Sequence, residues 1–121
     1  MLYNLNSPVS INADNELKIL VAGYYNVHFN FRFRNNQGGN GDRASIQNFL
    51  QINGSLGVDR LATSYMRFQD TRECACTNSG TFTVYFGVND LVRFGFMKIG
   101  ASFGNVQLLQ NNSTITFQRI A

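Results

Sequence analysis

The sequence predicts an all-β protein, a jelly-roll β-sandwich built from about eight to ten short antiparallel strands. Three observations lead to this prediction. Apolar and polar residues alternate strictly from Tyr24 to Arg34, which is the two-residue period of a half-buried strand. Turn-forming Gly and Asn residues recur at spacings of roughly 8–12 residues. No segment shows the apolar period of an amphipathic helix.

The chain of 121 residues has the length of one domain. We expect residues 1–15 to form an N-terminal arm or a first strand, because Val9, Ser10 and Ile11 alternate briefly. Residues 16–121 are expected to form the single jelly-roll domain. Charged residues make up 14% of the chain, against about 25% in ordinary soluble domains. This scarcity of charge, together with 11 phenylalanines, indicates that a partner covers part of the surface.

Each predicted strand is a β-rich run bounded by turn residues. The strands are expected at Leu17–Val21, Tyr24–Arg34, Ser45–Ile52, Leu56–Leu61, Thr63–Phe68, Thr81–Phe86, Leu91–Ile99, Val106–Gln110 and Thr114–Ile120. A bend is expected at Ala22-Gly23, a loop over residues 35–42, a hairpin turn at Asn53-Gly54, and further turns at Thr77–Gly80, Gly87–Asp90 and Asn111–Ser113.

One face of the long Tyr24–Arg34 strand is apolar, and we expect it to lie in the core or in a contact between subunits. Aromatic residues of two later strands are predicted to join it. The predicted core or trimer residues are Tyr25, Val27, Phe29, Phe31, Phe33, Phe94, Phe96 and Phe117. The opposite face of the same strand carries Tyr24, Asn26, His28, Asn30, Arg32 and Arg34.

The net charge is +3, and the basic residues are mostly arginines scattered along the chain. Nucleic-acid binding requires a clustered basic stripe, so we expect no nucleic-acid partner. Residues 1–6 lack the basic and apolar regions of a secretory signal. No run approaches the roughly 18 apolar residues of a membrane span, so no membrane partner is expected either.

The sequence contains no recognisable catalytic, metal or cofactor motif, so we expect a non-enzymatic protein without a cofactor. His28 is the only histidine. A surface or interface hydrogen bond is its favoured interpretation, ahead of a catalytic base or a pH-sensitive trimer contact. Cys74 and Cys76 are interpreted as small buried or interfacial thiols, with a redox or interchain link as the alternative. Asp90 is predicted to tie down the backbone where a strand starts.

The Asn- and Gly-rich loop is the predicted recognition surface, because loops on rigid β scaffolds often contact ligands. Its candidate residues are Gly38, Gly39, Asn40, Asp42 and Arg43. The loop lacks the Lys-Ser/Thr ending of a phosphate-binding loop.

A family resemblance is carried by four segments: Leu20–Phe31, Ile46–Gly54, Gly80–Val92 and Ser113–Ala121. In the first of them a small-Gly-x-Tyr corner leads into a long strand of alternating aromatic residues. These segments resemble trimeric jelly rolls such as tumour necrosis factor-like domains and complement-type globular heads, with Asn89 where the family usually has Gly. Small virion proteins of tailed phages and the heads of bacterial spore-surface filaments are the more similar members.

The resemblance implies a ten-strand jelly roll of two sheets, assembled as a tight homotrimer, whose last strand ends within the core. It further implies a structural role in a virion, as a phage decoration, fibre-head or tail-associated protein that contacts other virion proteins. The alternative is a head that binds a host glycan or receptor, carried by a viral fibre or by the surface filaments of a bacterial cell or spore.

Overall fold

The computed structural model describes residues 2–5, 9–13, 16–37, 43–67, 75–99 and 105–121. Nearly all of this part of the chain is strand. The strands are β1 (Leu2–Leu5), β2 (Val9–Ala13), β3 (Glu16–Ile19), β4 (Gly23–Gln37), β5 (Arg43–Ile52), β6 (Ser55–Arg67), β7 (Ala75–Phe86), β8 (Leu91–Ile99), β9 (Asn105–Leu108) and β10 (Thr114–Arg119). A single turn of 3-10 helix, Gln110–Asn112, separates the last two strands. The prediction of an all-β fold is confirmed.

The strands form two five-stranded sheets. The first sheet has the order β1-β10-β4-β7, and β9 pairs with the far end of β4. The second sheet has the order β2-β3-β8-β5-β6. Both sheets are antiparallel as predicted, with one parallel pair, β1 beside β10. The described parts of the predicted N-terminal arm are therefore strands, one in each sheet.

The hydrophobic core lies between the two sheets, and β4 is its main contributor. Residues along β4 alternate between buried and exposed because one face of the strand meets the second sheet. The buried apolar residues are Val9, Leu17, Ile19, Tyr25, Val27, Phe29, Phe31, Phe33, Ala44, Ile46, Leu50, Met66, Phe86, Val92, Ile115 and Phe117. Phe94 and Phe96 are partly buried and pack against this cluster from β8.

The predicted turn at Thr77–Gly80 is wrong, because these residues lie inside β7. β7 pairs with β4 without a break along its whole length. This long-range pairing overrides the local preference of Asn, Ser and Gly for turns. Gly80 has a packing role instead, since a Cβ there would lie 3.0 Å from Cζ of Phe29.

Two other predicted boundaries also differ from the structure. The two strands predicted on either side of Ala62 form one strand, β6. Its pairing with β5 contains register shifts, which are irregularities of the β-bulge type and do not end the strand. The predicted strand Val106–Gln110 stops at Leu108, since the 3-10 turn follows.

The bend at Ala22-Gly23 is confirmed, and it lies against the C-terminus. Gly23 has a φ of 155°, and a Cβ there would clash with the carbonyl oxygen of Ala121. The next amide, Tyr24 N–H, donates to that oxygen at 2.9 Å. The last strand contributes buried residues, as predicted, but residues 118–121 are exposed at this end of the sandwich.

Ser113 joins β9 and β10 along the same edge of β4. Its buried hydroxyl donates to the carbonyl oxygen of Leu109 at 2.8 Å and accepts the backbone N–H of Arg32 at 3.0 Å. The N–H of Leu109 donates to the carbonyl oxygen of Arg32 at 2.8 Å. These bonds satisfy the N–H and C=O groups of Arg32 on the edge of β4 that lies between its pairings with β10 and β9.

Candidate functional site

The exposed face of the first sheet is a regular surface built from described residues of three paired strands. Residues of β4, β7 and β10 whose strand neighbours are buried project from it, because side chains alternate along a strand. We call it the polar face, and it consists of Tyr24, Asn26, His28, Asn30, Arg32, Thr77, Ser79, Thr81, Thr83, Tyr85, Thr114, Thr116 and Gln118. Hydroxyl, amide and aromatic side chains dominate it.

Cross-strand contacts order the polar face. Nδ1 of His28 and Oγ1 of Thr81 lie 2.9 Å apart. The hydroxyl of Thr83 donates to Oδ1 of Asn26 at 2.7 Å. Such pairs are the units that stabilise a sheet, and they fix side chains that would otherwise sample several rotamers. The polar face is therefore a preorganised surface.

An aromatic pair lies at one end of the polar face. The rings of Tyr24 and Tyr85 form an edge-to-face contact with centroids 5.3 Å apart. The two side chains are nevertheless 51% and 56% exposed. Tyrosines that are rigid, half-exposed and amphipathic are the residues enriched in protein interfaces.

The strands of the first sheet contain no Asp or Glu. Their only charged residues are Arg32, Arg34 and Arg119, at the ends of the polar face or beyond it. Arg34 hydrogen-bonds Oε1 of Gln107, and Arg119 hydrogen-bonds the carbonyl oxygen of Ala22. The centre of the polar face, around His28, is thus uncharged.

The second sheet has the opposite character. Its strands contain both acidic and basic residues, among them Glu16 and Arg93. Nη2 of Arg93 lies 3.4 Å from Oε2 of Glu16 on neighbouring strands. A charged, mixed-sign surface is typical of solvent-facing protein. The two sheets therefore differ in the charge that their strands carry.

The residues that the sequence predicted for a core or trimer contact lie in the core. Tyr25, Val27, Phe29, Phe31, Phe33 and Phe117 are buried, and Phe94 and Phe96 are largely covered. No described phenylalanine is exposed, since most of these rings lie between the two sheets. The argument that surplus Phe needs a partner to cover it is therefore wrong for this part of the chain.

Most of the predicted recognition loop, Gly38, Gly39, Asn40 and Asp42, lies outside the described residues. Arg43, the first residue of β5, is exposed.

Asp90 fulfils the prediction made for it. Its carboxylate accepts the N–H of Gly87 at 2.7 Å and an N–H of the Asn53 side chain at 2.9 Å. Oδ1 of Asn53 accepts the N–H of Leu91 at 2.9 Å. The two residues therefore fasten the β5–β6 and β7–β8 turns together.

Cys76 has the environment of an unreactive thiol. It is half-buried and free, and the hydroxyl of Ser64 lies 3.2 Å from its sulfur. Burial raises the pKa of the Cys76 thiol, and the Ser64 hydrogen bond offsets this only in part. The nucleophilic thiolate is therefore disfavoured. Cys74 lies outside the described residues.

No group of three or more His, Cys, Asp or Glu residues that could hold a metal ion occurs in the part of the chain that the structure describes. Over the same residues, no helix has the length and apolar character needed to cross a bilayer. His28 hydrogen-bonds the hydroxyl of Thr81 on the exposed face of the sheet.

Solved structures of similar fold include three of the tumour necrosis factor type. The Eiger TNF of S. frugiperda is 13% identical, with a TM-score of 0.60, and the match covers 93% of this chain and 69% of the Eiger chain. Rabbit GITRL is 20% identical, with a TM-score of 0.53, and the match covers 95% of this chain and 78% of the rabbit chain. Pika GITRL is 20% identical, with a TM-score of 0.52, and the match covers 95% of this chain and 85% of the pika chain. No protein-family model and no curated protein sequence matches the chain. At these identities the likeness concerns architecture alone, and the chain has the tumour necrosis factor-like jelly-roll fold.

Proposed function

We propose that this protein is a non-enzymatic structural module that assembles as a homotrimer through the polar face of its first sheet. The observation that carries the proposal is the composition of that face. Interface cores are depleted of charged residues and enriched in aromatic ones. The polar face has an uncharged centre and two exposed tyrosines, whereas the other sheet carries charges of both signs.

The proposed place of the trimer is a virion, as a decoration, fibre-head or tail-associated protein in contact with other virion proteins. The resemblance of the Gly23–Phe31 strand and its preceding corner to small phage virion proteins supports this assignment. A bacterial cell or spore surface is the alternative location. Mass spectrometry of particles purified from the source distinguishes them, since a virion protein is recovered at a fixed ratio to the major capsid protein.

A matched pair of charge substitutions tests the assembly face. Ser79 is exposed on β7 within the polar face, and Ser55 is exposed at the start of β6 in the second sheet. In a trimer built on the polar face, Ser79→Glu places an unpaired carboxylate in each contact, which typically costs about 2–5 kcal/mol. Ser55→Glu makes the same chemical change away from it.

The expected result is that Ser79→Glu shifts the trimer to monomer on a sizing column with light scattering, while Ser55→Glu leaves its mass unchanged. Equal masses for the two variants at all concentrations would contradict the assignment of the face. Circular dichroism of both variants controls for folding.

A second function, recognition of a host glycan or receptor, is favoured by Tyr65. This side chain is 55% exposed on β6 of the second sheet, so assembly through the first sheet leaves it accessible. Aromatic rings and adaptable polar groups are common in recognition surfaces. A glycan array tests this role, with Tyr65→Ala as the variant that should lose any signal; an array without a signal would leave assembly as the role.

A further inference from the structure

The centre of the polar face is occupied by the chain's only histidine. His28 is exposed in the middle of β4, opposite Thr81 of β7 and Thr116 of β10. Histidine is the side chain whose charge changes between about pH 5 and pH 8 without special surroundings. If a contact between proteins buries this position, a change in the charge of the imidazole within the physiological pH range would affect the stability of that contact.

The groups facing His28 from each neighbouring strand are neutral. From β7 these are Ser79, Thr81 and Thr83; from β10 they are Thr114, Thr116 and Gln118; and Asn4 of β1 lies at the register position beside Thr116. Along β4 the flanking residues on the same face are Asn26 and Asn30. The nearest charged group on the strand is Arg32, four residues away, or about 13 Å along an extended chain.

The first sheet as a whole offers no counter-charge to a protonated histidine. Its five strands contain no carboxylate, and their charged residues are all arginines. When identical copies pack through this sheet, its strands on each copy bring the same acid-free composition. A charged imidazole in such a contact loses its hydration and gains no ion pair with those strands, while like charges from other copies add repulsion.

We propose that His28 makes the assembly acid-labile: the trimer is stable when the imidazole is neutral and dissociates when it is protonated. This inference rests on the proposed function, because it requires the polar face to be the contact. The sign follows from linkage. A histidine that is buried neutral in the trimer and solvated in the monomer takes up its proton more readily in the monomer, so lower pH favours dissociation.

The size of the effect is set by threefold symmetry. Each trimer contains three copies of His28, and dissociation takes up as many as three protons, one at each copy that is neutral in the trimer and charged in the monomer. The trimer dissociation constant is then expected to rise by up to about a thousandfold per pH unit. Between about pH 7.5 and pH 5.5 this is a steep transition.

The test measures solution mass by light scattering over a dilution series at several pH values between about 7.5 and 5.5. The wild-type chain is expected to be trimeric at the upper pH and to dissociate at the lower one. His28→Gln and His28→Asn carry neutral amides of two lengths at this position. The dissociation constant of each variant, measured at both pH values, is expected to be independent of pH, whatever its value at the upper pH.

The outcomes separate the inference from the function on which it rests. A wild-type trimer with the same dissociation constant at both pH values overturns the inference and leaves the trimer standing. Acid dissociation that is equally steep in His28→Gln and His28→Asn also overturns it, because the proton then binds elsewhere. A wild-type monomer at the upper pH overturns the proposed function itself.

Discussion

Phe31 is the residue at which the stability of the sandwich depends most clearly on packing between the sheets. It is fully buried, and its ring contacts those of Phe29, Phe94 and Phe96 with centroids 5.5, 5.3 and 4.9 Å apart. Two of these partners belong to β8 in the opposite sheet. Phe31→Ala therefore removes the side chain that links the sheets at mid-core.

The magnitude follows from burial and ring contacts. Truncation of a fully buried Phe to Ala costs about 3–5 kcal/mol, and each aromatic pair accounts for roughly 0.5–1.5 kcal/mol of the lost interaction. Phe82 on β7 provides a matched control. It is half-buried and makes one tilted ring contact, to Phe29 at 6.2 Å. Phe82→Ala should cost about 1–2 kcal/mol.

Urea denaturation at a common protein concentration measures the difference, since any oligomerisation makes stability depend on concentration. With a slope of about 2 kcal/mol per molar urea, Phe31→Ala should lower the midpoint by about 2 M and Phe82→Ala by under about 1 M. Both side chains point inward, so neither substitution changes the polar face. Equal midpoints for the two variants would refute the reasoning that contacts between the sheets dominate the core.

Three further predictions concern single polar groups. Ser113→Ala leaves the backbone N–H of Arg32 without its acceptor at a buried position and should cost about 1–3 kcal/mol in urea denaturation; no change would mean that another group takes over the bond. Asp90→Ala removes the acceptor of the Gly87 N–H and should lower the free energy of unfolding by about 1–2 kcal/mol. The largest increase in amide hydrogen exchange is expected at the β7–β8 turn. Cys76, whose pKa is raised by burial, should react with iodoacetamide more slowly than in the unfolded chain. Because the fold favours the protonated thiol, its contribution to stability is present below about pH 8.5 and is lost above it; alkylation at the unfolded rate would contradict this.

Local periodicity accounts for the parts of the fold that the sequence predicts well. The alternation along β4 identifies both its buried face and the β4 residues of the polar face, because a two-residue period reports which side of a strand is covered. The Asn53-Gly54 turn and the Asp90 anchor are also local signals, with chemistry confined to a few residues.

The part that could not be predicted depends on contacts distant in sequence. Asn78 belongs to a turn-like run, yet it is buried on β7, where its amide donates to the carbonyl oxygen of Ile46 at 3.2 Å. No local rule anticipates such a partner. The acid-free character of the first sheet likewise becomes visible only when β1, β9 and β10 are known to join β4 and β7.

Both proposals require that three copies of this chain associate in solution. The solution mass of the wild-type protein at neutral pH, measured by light scattering across a dilution series, tests this directly. We expect a mass of three chains of 13.6 kDa each that persists on dilution. A mass of one chain at every concentration would contradict the homotrimer.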